Sequence, residues 1–354
     1  MKIAIDISPL KSGHFLQHRV RGTGFYLQNL RLALEKHYPE NKYVYFSRGD
    51  VLEKDIDVVH YPYFEPFFLT LPLFSKNKSV VTVHDLTPLV FPDHFKSGFK
   101  GGIKWQIQKM ALSNMGMVIT DSKSSKNDII KFAGVTEDKI KVIYLAAGLE
   151  FKVLLDKEKV IGNIRKKYNL PKDFVLYVGD ATWNKNLPRL IEAAIKINAP
   201  LVMVGKALTD KVADINNPWN KDLVRVQELA EKNKNISRLG FVSSEDLVAL
   251  YNAANLFVMP SLYEGFGLPV LEAMSCGCSV VTSKEGSLAE VAGDATKIVD
   301  PYSVDSIAQG MKEMLGNLVL RKELSQKGLV QAKKFTWEKM AKETMDAYKM
   351  VASE

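Results

Sequence analysis

The stretch Leu256-Phe257-Val258-Met259-Pro260-Ser261-Leu262-Tyr263-Glu264-Gly265-Phe266-Gly267-Leu268-Pro269-Val270-Leu271-Glu272 decides the fold. Leu256–Met259 is an unbroken apolar run, as expected of a strand buried on both faces. A glycine turn follows, and Pro269 suits the first turn of a helix, where its missing N–H is not needed. That helix is expected to end near Cys276-Gly277, with Gly277 as its C-cap. In open parallel sheets ligands sit beyond the carboxyl ends of strands, so this corner is where a site belongs. Gly265 and Gly267 let backbone amides come close to a ligand, and a helix N-terminus favours an anion.

Outward from this corner, short apolar runs alternate with longer amphipathic ones, and they do so twice. Strands are expected at Ile3–Ile7, Val44–Phe46, Val58–His60, Val80–Val83, Val118–Thr120 and Ile140–Tyr144. A second set is expected at Phe174–Val178, Leu201–Val204, Ile236–Leu239, Leu256–Met259, Val280–Thr282 and Lys297–Val299. Helical patterns fill the gaps at Phe25–Lys36, Leu187–Ile197, Ser244–Ala254, Val304–Leu315 and Trp337–Met350, the last with Thr336 as N-cap. This is α/β with parallel sheets. At 354 residues two domains are expected, 1–155 and 156–336, with the charged stretch Ala146–Lys172 between them. Two such domains facing each other make a deep cleft.

Composition is that of an ordinary globular enzyme: 46% hydrophobic, 25% charged, and no apolar run long enough to span a bilayer. Met1–Ile7 reads as a first strand and not a signal peptide, because Asp6 interrupts it. The two cysteines, Cys276 and Cys278, provide neither a disulfide framework nor a metal-ligand set. A reduced, cytoplasmic protein without a metal site is expected. The net charge of +8 attracts polyanions, phosphorylated small molecules among them. Nucleic acid is not expected as a partner, since the lysines are dispersed and no nucleic-acid motif occurs.

The pattern around Glu264 and Glu272 resembles the retaining glycosyltransferases of family four, which have the GT-B fold of two Rossmann-like domains facing across a cleft. Their hallmark is two glutamates around a Gly-Phe-Gly-Leu-Pro core. The resemblance implies that Glu264 meets the donor sugar and Glu272 the ribose. Gly265, Phe266, Gly267 and Leu268 would support sugar and phosphate, and Val242, in Gly240-Phe241-Val242-Ser243, would meet the base. Lys185 and Asn186 match the family's Lys-Asn pair, where a cation stabilises the departing diphosphate. The family usually carries an arginine where this chain has Asp180, with Arg189 as a substitute from the next helix turn. His84, followed by Asp85, is the expected sugar-hydroxyl partner near the reacting carbon. Gly22 and Gly24, in Arg19-Val20-Arg21-Gly22-Thr23-Gly24, resemble a glycine-rich loop before the first helix. The C-terminal helix 337–354 is expected to pack back on the first domain.

The implied activity is retaining transfer of a sugar from a nucleoside-diphosphate sugar (UDP-, GDP- or dTDP-linked) to an acceptor hydroxyl, in cell-envelope polysaccharide or glycolipid synthesis. It needs no further cofactor. A non-catalytic nucleotide-sugar binder is one alternative, and a GT-B epimerase or phosphorylase another; a phosphorylase lacks its pyridoxal lysine segment here. Tyr61–Leu69 and Phe95–Lys109 interleave aromatic residues with lysines or prolines. They raise two further expectations: a sugar or lipid-linked acceptor, and peripheral contact with the inner face of the plasma membrane. The remaining histidines, His14, His18, His37, His60 and His94, are expected to be structural or on the surface.

Overall fold

The computed structural model describes residues 1–10, 20–73, 77–210 and 217–353. Arg19, His14 and His18 lie outside them. The chain divides into two compact units, Met1–Ala146 with Phe335–Glu354, and Ala147–Lys334.

The first unit holds β1 (Lys2–Asp6), β2 (Lys42–Phe46), β3 (Val58–Tyr61), β4 (Ser79–Val83), β5 (Met117–Thr120) and β6 (Ile140–Val142). They form one sheet in the order β2-β1-β3-β4-β5-β6, with every pair parallel. Around it run α1 (Val20–His37), α2 (Thr87–Val90), α3 (Gly98–Ser113) and α4 (Lys123–Asp128). The second unit opens with α5 (Lys157–Tyr168), then β7 (Val175–Val178), α6 (Leu187–Lys196), β8 (Leu201–Val204), α7 (Lys221–Glu231) and β9 (Ile236–Arg238). It continues through α8 (Ser244–Ala253), β10 (Leu256–Met259), α9 (Leu268–Ser275), β11 (Val280–Thr282), α10 (Leu288–Ala292) and β12 (Lys297–Ile298). Two further helices close it, α11 (Val304–Gly316) and α12 (Leu318–Ala332). Its sheet, also parallel throughout, is ordered β12-β11-β10-β7-β8-β9. The last helix, α13 (Trp337–Ser353), belongs to the first unit.

The central strands lie where the apolar runs place them, because a strand covered on both faces has no polar positions to blur the signal. Val58, Val59, Val80, Val81, Leu256, Phe257 and Val258 are all fully buried. Burying each such side chain contributes about 1.5–3 kcal/mol. Side-chain caps fix several of the helix starts. Ser243 accepts from Asp246 N–H at 3.2 Å, Ser122 from Ser125 N–H at 3.0 Å, and Asn317 from Leu320 N–H at 3.0 Å. Thr336 caps the last helix, accepting from Lys339 N–H at 3.1 Å.

Two expectations are corrected. The first helix begins at Val20, so Gly22 and Gly24 lie in its first turns and not in a loop before it. Its buried face, Thr23, Tyr26, Leu27, Leu30 and Leu34, keeps helical spacing back to Thr23, and packing along that stripe carries the helix through both glycines. Residues 147–155 belong to the second unit and not the first. Phe151 packs edge-on to Tyr251 with ring centroids 5.9 Å apart. Asn252 receives Leu154 N–H at 3.1 Å and donates to Lys152 O at 3.0 Å.

The C-terminal helix is tied into the first unit by aromatic contacts and one buried hydrogen bond. Trp337 meets Phe25 edge-on at 5.8 Å, and the Tyr348 hydroxyl lies 2.7 Å from His60 Nδ1. His60 is fully buried, with Nε2 2.8 Å from Thr82 Oγ1. Burial, then the charge of His84, pushes its pKa down to about 3. It is a neutral core residue.

Candidate functional site

In the second sheet β7 has β8 on one side and β10 on the other, so the strand order reverses between β7 and β10. That switch point is where an open α/β sheet leaves a crevice. The chain leaving β7 supplies Lys185 and the chain leaving β10 supplies Glu264. Lys185 Nζ lies 2.8 Å from Glu264 Oε1 and 2.7 Å from Oε2, and Glu264 is 6% exposed. Two residues read separately from sequence, one for phosphate and one for sugar, form a single ion pair.

The backbone of Glu264 is fixed from both sides. Ser287 N–H and Oγ donate to Glu264 O at 3.1 and 3.0 Å. Asn184 Nδ2 donates to Tyr263 O at 3.0 Å, and Leu262 N–H to Asn184 O at 2.7 Å. Gly286 makes this possible, since it has φ +62° and a Cβ there would sit 2.5 Å from Glu264 O. Asn184, Gly286 and Ser287 were not singled out from sequence. The hydrogen-bonding type of Asn184 and Ser287, just beyond strand ends, is the only local signal they carry.

Gly267, at φ +94°, is the N-cap of α9, and Phe266 before it is buried. Val270 N–H bonds to Gly267 O at 3.0 Å and Pro269 has no N–H, so within the first turn of α9 the Leu268 amide is the one left outside the helix ladder. Glu272 sits one turn further in. Tyr251 donates to its Oε2 at 2.9 Å from α8. Burial is the main cause of a Glu272 pKa raised to about 7; Glu150 adds to the rise and the Tyr251 hydrogen bond opposes it. Val242 is buried in the turn between β9 and α8.

Asn186, expected at the ligand by resemblance, has its side chain bonded within the second unit. It is 1% exposed, its Nδ2 donates to Pro260 O at 2.9 Å and Pro301 O at 2.6 Å, and its Oδ1 accepts from Arg189 at 2.8 Å. With φ +60° it forms the corner into α6. Asn186→Ala is expected to cost about 2–4 kcal/mol, from two orphaned carbonyls and a strained backbone. Urea unfolding should show that loss while the variant's KM for donor stays within about threefold. The same bond ties Arg189 to the helix start. Asp180 is exposed, and its carbonyl accepts from the Tyr177 hydroxyl at 2.8 Å.

In the first unit His84 follows β4, and its Nδ1 lies 2.7 Å from Asp121 Oδ2. Asp121 follows β5, and sequence reading missed it. The adjacent Asp85 accepts from Thr87 N–H at 2.9 Å and shapes the turn into α2 instead. Burial alone would lower the His84 pKa, but Asp121 outweighs it and the net direction is up. The aromatic loop is packed, with Tyr61, Tyr63 and Phe64 buried. Gln108 Oε1 clamps it to α3, accepting from Thr70 N–H at 2.7 Å and Leu71 N–H at 2.9 Å. Both cysteines are buried free thiols.

Among the described residues no helix is long and apolar enough to cross a membrane. Two family models match the chain, glycosyl transferases group 1 at residues 160–331 and glycosyltransferase family 4 at residues 13–150. The O-antigen chain mannosyltransferase B of Escherichia coli is 32% identical over 77% of this chain and 71% of its own length. The serotype-specific mannosyltransferase WbdA of Escherichia coli is 32% identical over 73% of this chain but only 32% of its own length, so the chain spans about a third of that relative. Among solved structures, sucrose-phosphate synthase from Thermosynechococcus elongatus superposes with TM-score 0.76 at 19% identity, covering 99% of this chain and 98% of the other. Anabaena HepE in complex with UDP and glucose gives 0.71 at 17%, covering 98% of each chain. These likenesses identify the fold as GT-B. With both family models matched and a relative 32% identical along most of its length, the chain belongs to the group 1, family 4 glycosyltransferases.

Proposed function

We propose that the protein is a retaining glycosyltransferase that moves a hexose, with mannose the first candidate, from a nucleoside-diphosphate sugar to an acceptor hydroxyl in cell-envelope polysaccharide synthesis. The Lys185–Glu264 pair at the switch point carries this reading: a cation beside a carboxylate, a few residues before the start of α9. Glu264 accepts hydrogen bonds from donor-sugar hydroxyls. Lys185 and the Leu268 amide at the start of α9 face the diphosphate, whose charge grows as the glycosidic bond breaks. The departing phosphate oxygen takes the acceptor's proton, so no enzyme nucleophile and no further cofactor is needed. Glu272 holds the ribose hydroxyls. The names of the Escherichia coli relatives support mannose and an O-antigen-like product.

Thermal shift against UDP, GDP, dTDP and ADP identifies the nucleotide. A ligand at about 100 times its Kd stabilises the fold by about 2.7 kcal/mol. The matching nucleotide-mannose and nucleotide-glucose then serve as donors, and NMR of the product reads the anomer. An inverted anomer, or no shift with any nucleotide, would sink the proposal.

A second reading concerns the acceptor side. Phe99, Ile103 and Met110, at spacings of four and seven along α3, share one face and are 85%, 48% and 58% exposed. The aromatic residues first read into this face are not all there, since Phe95 is buried and Trp105 packs on the core. Lys96 and Lys100 flank the stripe and are exposed. The chain as a whole carries +8. We propose that this face rests on an anionic bilayer surface, where each nearby lysine contributes about 1 kcal/mol. The protein should co-sediment with vesicles containing anionic lipid and not with neutral ones. Phe99→Glu with Ile103→Glu should reduce that binding at least about tenfold and leave the nucleotide-induced thermal shift unchanged.

A further inference from the structure

In the first sheet Val83 of β4 pairs with Thr120 of β5. The next residue on each strand is the first beyond the ladder, and these two are His84 and Asp121. Parallel register therefore brings together side chains that are 37 positions apart in sequence, with Nδ1 and Oδ2 at 2.7 Å. The first turn of α4 fixes the same corner. Ser122 caps it, and Ser125 Oγ donates to His84 O at 3.0 Å. Tyr26 from α1 stands edge-on to the ring at 4.9 Å, its own hydroxyl shared with Thr82 Oγ1 at 3.0 Å.

Asp121 is 2% exposed, and its second oxygen makes no hydrogen bond among the described residues. A buried carboxylate satisfied on one side only favours positive charge on the partner that holds its other oxygen. His84 Nε2 likewise has no hydrogen-bond partner among the described residues, although the Pro62 backbone is near enough to favour the charged ring. The other groups that face the ring are Asp85, with its carboxylate already on Thr87 N–H, His60, which burial keeps neutral, and Tyr26. The charged surroundings are thus negative. A buried polar atom without a partner, on a ring whose other nitrogen is fixed, is suited to a ligand hydroxyl.

We propose that Asp121 is the positioning residue of the transfer reaction, holding His84 as an imidazolium whose Nε2–H is offered to a sugar hydroxyl. The inference rests on the function proposed above. Asp121 touches no substrate in this scheme; it acts by fixing the orientation and protonation of the ring that does. Without it His84 is a neutral imidazole free to present a bare nitrogen, which cannot donate to the sugar's oxygen.

Nitrogen-15 NMR of histidine-labelled protein between pH 5 and 10 tests this without any ligand, with His84→Gln to assign the signal. In the wild type His84 should remain an imidazolium above the ordinary histidine range. Asp121→Asn should lower its proton affinity at least about tenfold, one pH unit. Asp121→Glu, which keeps the carboxylate, should retain most of the wild-type value and serves if the Asn variant does not fold. Titration of His84 at the same pH in Asp121→Asn and the wild type would overturn the inference, as would a neutral wild-type ring at pH 7. With nucleotide-sugar as donor, the alkaline limb of kcat should move down by the same interval in Asp121→Asn. Absence of any transfer by the wild type would overturn the underlying function instead.

Discussion

Glu264→Gln is expected to lower kcat/KM for sugar transfer about 10²–10³-fold, the size of loss seen when one transition-state hydrogen-bonding group is removed. Lys185→Met should lose a similar factor. The informative variant is the double one. Because Lys185 Nζ bridges both oxygens of Glu264, each single change also releases the other member from its place. The double variant should therefore fall no more than about tenfold below the worse single variant, not by the product of the two losses. Additive losses would mean that the residues act independently, and full activity in Glu264→Gln would remove Glu264 from the mechanism. The pair also bears on stability. A charge left unpaired in a largely buried place costs up to about 3 kcal/mol, so Lys185 alone should destabilise more than the double change. The carbonyl bonds from Ser287 to Glu264 do not depend on its side chain, so the loop keeps its course in all three variants.

Glu272 is expected to couple nucleotide binding and stability to pH in opposite directions. Its folded pKa of about 7 lies above the ordinary glutamate value of 4.5, chiefly because its carboxyl is withdrawn from water, although the residue as a whole is only partly buried. A raised pKa means the fold prefers the protonated form. The stabilising contribution is fully present below about pH 4.5 and is lost as pH rises through 7. Ribose binding needs the carboxylate as acceptor, so nucleotide affinity should rise over the same interval in which the free protein weakens. Glu272→Gln should remove both slopes. The variant should melt higher than the wild type above pH 7, and should bind nucleotide about 10–100-fold more weakly, the worth of hydrogen bonds to a charged group. Melting curves with and without nucleotide between pH 5.5 and 8.5 report both effects. Equal nucleotide shifts in the two proteins at pH 8 would rule Glu272 out as the ribose ligand. Tyr251→Phe should move the wild-type transition upward, because its hydrogen bond is what holds the carboxylate pKa down.

These outcomes differ in how far they could be read from sequence. The central strands, such as β3, β4, β8 and β10, were legible because they are apolar runs buried along their whole length, and the start of the last helix because its Thr336 cap is local. Glu264 and Glu272 were legible for the same reason: strand, glycine turn and helix are contiguous, and one stretch of chain fixes where both glutamates sit. Lys185 was legible by position, in the loop that leaves β7 and leads into α6. Gly22 and Gly24 were not, because glycine permits a loop without requiring one, and the buried stripe of α1 decided for a helix. Asn186 has the residue type of a ligand, and only the closeness of the Pro260 and Pro301 carbonyls shows where its amide is spent.

By itself, then, the sequence determined two parallel α/β units and the residues at the carboxyl ends of their strands. Tertiary structure alone decided which of those residues meet. Lys185 with Glu264, Tyr251 with Glu272 and Asp121 with His84 are joined by strand order, helix packing and parallel register. Those are properties of neighbouring elements, and no spacing along the chain encodes them.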